Sequence, residues 1–346
     1  MAKKARVQLF EDPAFPTSDM SLWCGEGDTA TGGDIGKTAH IKRLGQLNGD
    51  LCLFDKIEAQ DVLQQGFGDC WLLAAAAVVA EKQGYINAAF PRQTKVHASG
   101  KYFVRLFDLQ GQQFKKIPID DNVPALKGGH IKGAQLSRTN EIWCPLLEKA
   151  CAKHFGSYQH TEGGWPCFGM QYLCGGRPYV WNKQEDGTWT KFIGKAAPKE
   201  GDEDESGQQR GEMFKATVYT STGQDLISRL SKLAGQHKRW PMGACILRES
   251  VDMQGLIAGH AYSLLAIKSA PIDGGDLVLL QLRNPWGHNG WTGNWSKKSR
   301  LWDEHQAAKD MCGPDGNFDE GTFWMAADDF LHYYDTVDLC IPPREK

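Results

Sequence analysis

One cysteine in this chain stands where a thiol can become a nucleophile. It is Cys70, in the run Gln64-Gln65-Gly66-Phe67-Gly68-Asp69-Cys70-Trp71-Leu72-Leu73. Two glycines loosen the loop, and the Leu72-Leu73-Ala74-Ala75-Ala76-Ala77 stretch that follows has high helix propensity. Asp69 is a suitable N-cap for that helix. A thiol on the first turn lies in the positive end of the helix dipole, which favours thiolate over thiol. Gln64 lies upstream on the same loop. Folded back, its side-chain amide would join the Cys70 N–H as a donor to a developing oxyanion.

Such a thiol needs a base, and the base needs an orienting group. Gly259-His260-Ala261-Tyr262-Ser263-Leu264-Leu265-Ala266-Ile267 reads as a strand entered through a glycine, with His260 at its mouth. Asp276 to Arg283 reads as a second apolar strand, ending in Asn284-Pro285-Trp286-Gly287, where Pro285 stops the ladder. An Asn there accepts from one imidazole nitrogen and leaves the other for Cys70. Trp286 would shield that hydrogen bond from water. Singly, each residue has a plainer reading: a strand-end histidine, a turn-forming Asn, a core tryptophan. Their combination points to nucleophilic catalysis.

These three runs resemble the catalytic boxes of calpains, intracellular cysteine endopeptidases with a papain-like core split into two lobes. The resemblance extends to Leu9-Phe10-Glu11-Asp12-Pro13-Ala14-Phe15-Pro16, to Asn140-Glu141-Ile142-Trp143-Cys144-Pro145-Leu146-Leu147-Glu148-Lys149-Ala150, to Trp291-Thr292-Gly293-Asn294-Trp295-Ser296 and to Phe323-Trp324-Met325. It implies an α+β fold with a helix-rich first lobe, an antiparallel β-rich second lobe and the active site in the cleft. It also implies Cys70 as nucleophile, His260 as general acid/base, Asn284 as its orienting residue, Gln64 as oxyanion donor and Trp286 as shield. Lobes of this type must rotate together before cysteine and histidine meet.

The resemblance further implies calcium, one ion per lobe. In the first lobe it maps one carboxylate onto Asp61 and a second onto Glu148, with carbonyls near Phe54 to Lys56; such oxygens suit a hard cation. In the second lobe the corresponding positions hold Gly290, Lys297 and Thr322, leaving Glu320. That site is expected to be lost, with the Lys297 ammonium near Glu320 standing in for the ion. Calpains of animal type continue into a C2-like and an EF-hand domain, and neither is expected in this chain.

Positioning these residues requires two lobes, and 346 residues are enough for each to bury a core. The expected division is a lead-in over 1–20, a cysteine lobe over 21–175 and a histidine/asparagine lobe over 176–346. In the first lobe, Tyr102 to Leu109 and Gln113 to Ile119 read as paired strands. Glu141 to Phe155 reads as a helix. The stretch between Gly163-Gly164 and Gly175-Gly176 reads as the hinge. In the second lobe, Tyr179 to Trp181, Trp189 to Phe192, Phe214 to Tyr219 and Ala244 to Leu247 read as strands, and Asp225 to Ala234 as an amphipathic helix. Lys199 to Gly207 is a charged insertion without an apolar anchor.

Composition narrows the function classes. Lys and Arg number 39 against 42 Asp and Glu, a net charge of −3, so no nucleic-acid or anionic-membrane partner is implied. The basic N-terminus leads into no apolar run, and nothing is long enough to span a bilayer. Ten cysteines without secretory targeting suggest free thiols in a reducing, cytoplasmic setting. Cys144/Cys151 and Cys167/Cys174 sit two helical turns apart, which does not suit zinc. The expected partners are polypeptide substrates. Two other functions remain open: a non-enzymatic calpain-like adaptor and a transglutaminase-type acyl transferase. The latter normally has Asp as its third residue, so Asn284 favours hydrolysis.

Overall fold

A computed structural model describes residues 7–16, 21–22, 40–47, 50–126, 129–194, 214–235, 240–250, 252–272, 275–313 and 321–343. The charged insertion Lys199 to Gly207 and Glu320 lie outside the described residues, so the proposed Lys297–Glu320 contact does too.

The first lobe is built around one apolar helix. Strand β1 (His40–Arg43) precedes α1 (Cys70–Ala80), which is followed by α2 (Gln83–Ala89). Then come β2 (Lys101–Asp108), β3 (Gln113–Asp120), β4 (Asn122–Ala125), α3 (Trp143–Phe155) and α4 (Pro166–Cys174). β2 pairs antiparallel with β3, and β1 with β4. Every residue of α1 from Trp71 to Ala80 is buried. A helix apolar on all sides belongs inside a core, and α1 is covered on several sides at once.

The second lobe is a single antiparallel sheet. It comprises β5 (Arg177–Lys183), β6 (Trp189–Gly194), β7 (Phe214–Ser221), helix α5 (Gly223–Gly235), β8 (Met242–Ile246), β9 (His260–Ile272) and β10 (Gly275–Arg283). Short helices α6 (Leu301–Glu304) and α7 (Gln306–Cys312) follow, then β11 (Thr322–Ala326), α8 (Ala327–Tyr333) and β12 (Thr336–Ile341). The spatial order is β11-β10-β9-β8-β12-β5-β6-β7, with β12 inserted between β8 and β5. Its central strands carry the lobe's core, including Ala244, Tyr262, Leu264, Leu280, Leu282, Val337 and Leu339.

Sheet and helices meet along α1 and α4. Ser263 Oγ on β9 donates to the Ala74 carbonyl of α1 at 2.9 Å. The stretch expected as a hinge is instead the fully buried α4. Pro166 fits its first turn, where no N–H is needed, and Gly175 ends it at φ 66°. Where α4 crosses α1, a Cβ on Gly169 would lie 2.8 Å from Ala75 Cβ, so only glycine allows that approach. The expected helix from Glu141 begins at Trp143, because Glu141 bridges to Cys52 instead.

Candidate active site

Cys70 opens α1, and the Asp69 carbonyl accepts the first helical bonds, from Leu72 N and Leu73 N at 2.9 and 3.1 Å. The Asp69 side chain, expected as the cap, makes no cap hydrogen bond. It is fully buried and turns instead towards Gln64 and Glu148. The Cys70 thiol lies against the Ala261 amide, next in the chain to His260, and against the helix's own first amides at Cys70 and Trp71. The thiol at the head of α1 and the imidazole at the head of β9 therefore lie on facing elements.

The expected depression of the thiol pKa is not found. Burial pushes it up, the Asp69 charge adds to this, and the three amides oppose it without prevailing. One helix end favours the thiolate by less than desolvation of the buried sulfur disfavours it.

His260 enters β9 after Gly259, whose φ of 64° suits glycine. Its Nε2 is 2.8 Å from Asn284 Oδ1. That oxygen also accepts from Trp286 N at 3.0 Å, while Asn284 Nδ2 donates to the Asn289 carbonyl at 3.1 Å. The two backbone partners fix the carboxamide orientation, since a flipped amide would set its NH2 against the Trp286 N–H. Oδ1 is thus the acceptor, Nε2 carries the proton, and Nδ1 is the basic nitrogen. Burial pulls the imidazole down to about 4, against the opposing pull of the Asn284 bond. The half-buried Trp286 ring covers this pair, its centroid 4.7 Å from that of His260. Gly321 closes the loop: its N–H donates to Gly287 O, its carbonyl accepts from Asn284 N, and a Cβ there would meet Asn284 O at 2.9 Å.

Gln64 is buried beside Cys70. Its Nε2 donates to Phe67 O at 2.8 Å and to Asp69 Oδ1 at 3.4 Å. Its backbone N–H donates to Pro285 O at 2.9 Å, and the fully buried Arg283 reaches Val62 O at 2.7 Å. The two bonds tie the Gln64 loop of one lobe to the Asn284 loop of the other.

The residues expected to hold calcium are not brought together as a pair. Asp61 faces Glu141, with Glu58 nearby; burial and these like charges push it up to about 7. Glu148 packs against Asp69 instead. The resemblance maps the second carboxylate onto Glu148, whereas Glu141, before helix α3, is the carboxylate that faces Asp61. Asp55 N, Ser137 Oγ and Thr139 Oγ1 donate to Glu141 at 2.6, 3.0 and 3.2 Å. Among the described residues no group of three or more His, Cys, Asp or Glu is clustered to hold a metal. In the second lobe Lys297 is exposed, Gly290 is half-buried, and Thr322 opens β11 opposite Arg283. The nine cysteines among the described residues are all free thiols, and no described helix is long and apolar enough to cross a membrane.

Cys70 at the head of a helix beside the Ala261 amide, and His260 bonded to Asn284, place the three residues at the junction of a helical lobe and an antiparallel sheet. The family model described as "Calpain family cysteine protease" matches residues 10–341, and the chain belongs to that family. It is 30% identical to Calpain-B of Drosophila melanogaster over 355 residues, covering 97% of this chain and 32% of that protein. It is 29% identical to human Calpain-9, covering 97% and 43%. It is 28% identical to Calpain clp-1 of Caenorhabditis elegans, covering 96% and 38%. The chain thus spans between about a third and under half of the length of these relatives.

Proposed function

We propose that this chain hydrolyses peptide bonds in polypeptide substrates through an acyl-enzyme on Cys70. The supporting observation is the 2.8 Å bond from His260 Nε2–H to Asn284, which leaves Nδ1 as the base in the cleft that holds the thiol. With burial holding both groups neutral, His260 takes the Cys70 proton as sulfur attacks the scissile carbonyl. The oxyanion is met by the Cys70 N–H and Gln64 Nε2. His260 then protonates the leaving amine and afterwards activates the water that releases the acyl group. Asn284 holds the imidazole throughout, and Trp286 keeps water from their bond.

Calcium belongs to this reading at one first-lobe site. Two buried carboxyls facing each other, Asp61 and Glu141, fit a hard cation that would relieve their repulsion. Bound there, the ion would supply positive charge beneath the loop that carries Gln64. The second-lobe positions Gly290, Lys297 and Thr322 offer no carboxylate, so activity needs little calcium or one ion only. A reducing, cytoplasmic setting suits the free thiols.

The test is peptidase turnover of the native chain and of Cys70→Ala across a calcium titration. Turnover is expected to vanish in Cys70→Ala and to depend on at most one non-cooperative calcium site in the native chain. Retained cleavage by Cys70→Ala, or incorporation of amines in place of hydrolysis, overturns the assignment. Two cooperative calcium sites overturn the second-lobe argument alone.

A further inference from the structure

Behind the nucleophile lie two carboxyls that catalysis as described does not use. Asp69 is 0% and Glu148 1% exposed, and the two carboxyls face each other. Two buried carboxyls hold together at close range only with a proton between them. The remaining contacts say where it lies. Glu148 Oε1 accepts from Ala134 N at 2.8 Å, and Asp69 Oδ1 accepts from Gln64 Nε2 at 3.4 Å. Asp69 Oδ2 is buried and has no hydrogen-bond partner. Glu148 Oε2 and Asp69 Oδ2 are therefore the oxygens left to share that proton. Gly133 leaves room for this carboxyl: a Cβ there would lie 2.1 Å from Oε2.

We propose that the Asp69–Glu148 pair is a positioning device for Gln64, setting the side-chain donor that meets the oxyanion. The connected run is Ala134 N–H to Glu148, Glu148 to Asp69, and Asp69 to Gln64, with Phe67 O holding the second Gln64 proton. At 3.4 Å the Asp69–Gln64 bond is weak, so that same N–H remains free to turn to a fully charged oxyanion. The titration directions agree: burial is the main cause that pushes Asp69 up to about 7, and burial likewise pushes Glu148 well above the ordinary carboxylate range. Other ionisable groups around the pair are Glu162, which packs over Gly68 and raises Asp69, and Cys144, Cys151 and Tyr158, which feel both carboxyls. Lys132 packs on the same loop, its ammonium 5.0 Å from the centre of the Phe67 ring.

This inference rests on the protease reading, and the experiment separates the two. Steady-state peptide hydrolysis is measured for the native chain, Gln64→Ala, Glu148→Ala, Glu148→Gln and the double variant Gln64→Ala with Glu148→Ala. Alkylation of Cys70 by iodoacetamide is followed in parallel, since that reaction builds no oxyanion. Removing an oxyanion donor costs about 10²–10³ in kcat. Glu148→Ala is expected to lose roughly tenfold or more of kcat with KM little changed, and to alkylate at the native rate. Glu148→Gln, whose amide still donates to Asp69, is expected to recover most of kcat. The double variant is expected to be no worse than Gln64→Ala, because both act through one donor. Additive losses, full kcat in Glu148→Ala, or a folded Glu148→Gln as impaired as Glu148→Ala overturn the proposal. Should Glu148→Ala not fold, the comparison of Glu148→Gln with Gln64→Ala still decides it. Native protein that alkylates but cleaves nothing counts against the protease reading itself.

Discussion

Asn284 sets the tautomer of His260, and burial sets its pH range. Its Oδ1 selects Nε2 as the protonated nitrogen, and burial of the imidazole lowers the pKa to about 4. Only neutral imidazole can take the Cys70 proton, so the acid limb of kcat/KM is expected near pH 4 and not near 6.5. Asn284→Ala removes the one bond that raises this pKa and frees the ring to turn. Its kcat is expected to fall by about 10²-fold, with the acid limb no higher than in the native chain. A pH–rate profile for both proteins checks this, and a native limb at pH 6 or above would contradict the burial argument. Residues of this kind were legible because their partners lie in short runs: Gly259 before His260, Pro285 and Trp286 after Asn284. Asp69 was legible only as a cap, since its true partner, Glu148, lies far along the chain on another helix. That Glu148 does not pair with Asp61 was not legible for the same reason, because a carboxylate's partner is decided by packing and not by sequence order.

Elements were legible where periodicity speaks and obscure where packing does. The strands β2, β3, β9 and β10 follow from alternating or apolar runs between turn signals. α4 did not, because its nine residues are buried on all sides and bracketed by glycines that read as a hinge. Gly169 is the reason this helix fits. A larger side chain there meets Ala75 Cβ and the Trp71 carbonyl, at 2.8 and 3.3 Å from the position of a Cβ. Gly169→Val is therefore expected to destabilise by about 1–3 kcal/mol, the usual cost of overpacking. It acts directly on the first turn of α1, so Cys70 alkylation should slow as well. Gly84 on α2 is the control: a Cβ there meets nothing within 4 Å, and Gly84→Ala is expected to be neutral or mildly stabilising. Urea midpoints of the two variants give the comparison, and equal midpoints would mean that the α1–α4 crossing yields easily.

At the scale of the whole molecule the lobes are joined by a buried carboxyl as well as by the active-site loops. Asp338 on β12 accepts from Cys167 N, in the first turn of α4, at 3.1 Å, and from Thr336 Oγ1 at 3.0 Å, with Cys245 Sγ at 3.9 Å. No local pattern announces this, because β12 reaches the middle of the sheet from the far end of the fold. Burial outweighs these donors and raises Asp338 to about 6, as it raises Asp69 to about 7. A carboxyl whose folded pKa lies above its unfolded value near 3.8 contributes stability that is full below 3.8 and lost as pH rises through the folded pKa. His260 acts oppositely: its folded pKa near 4 lies below 6.5, so its contribution is full above 6.5 and lost as pH falls through 4. The two carboxyl shifts together exceed the single histidine shift. With calcium chelated, the protein is therefore expected to be more stable at pH 5 than at pH 8. Asp338→Asn keeps an acceptor for Cys167 N but removes the ionisation, so its stability should change less between those two pH values. Urea unfolding of both proteins at pH 5 and 8 measures the difference. A native chain that gains stability from pH 5 to 8 would show that these carboxyls are solvated in a way their burial does not allow.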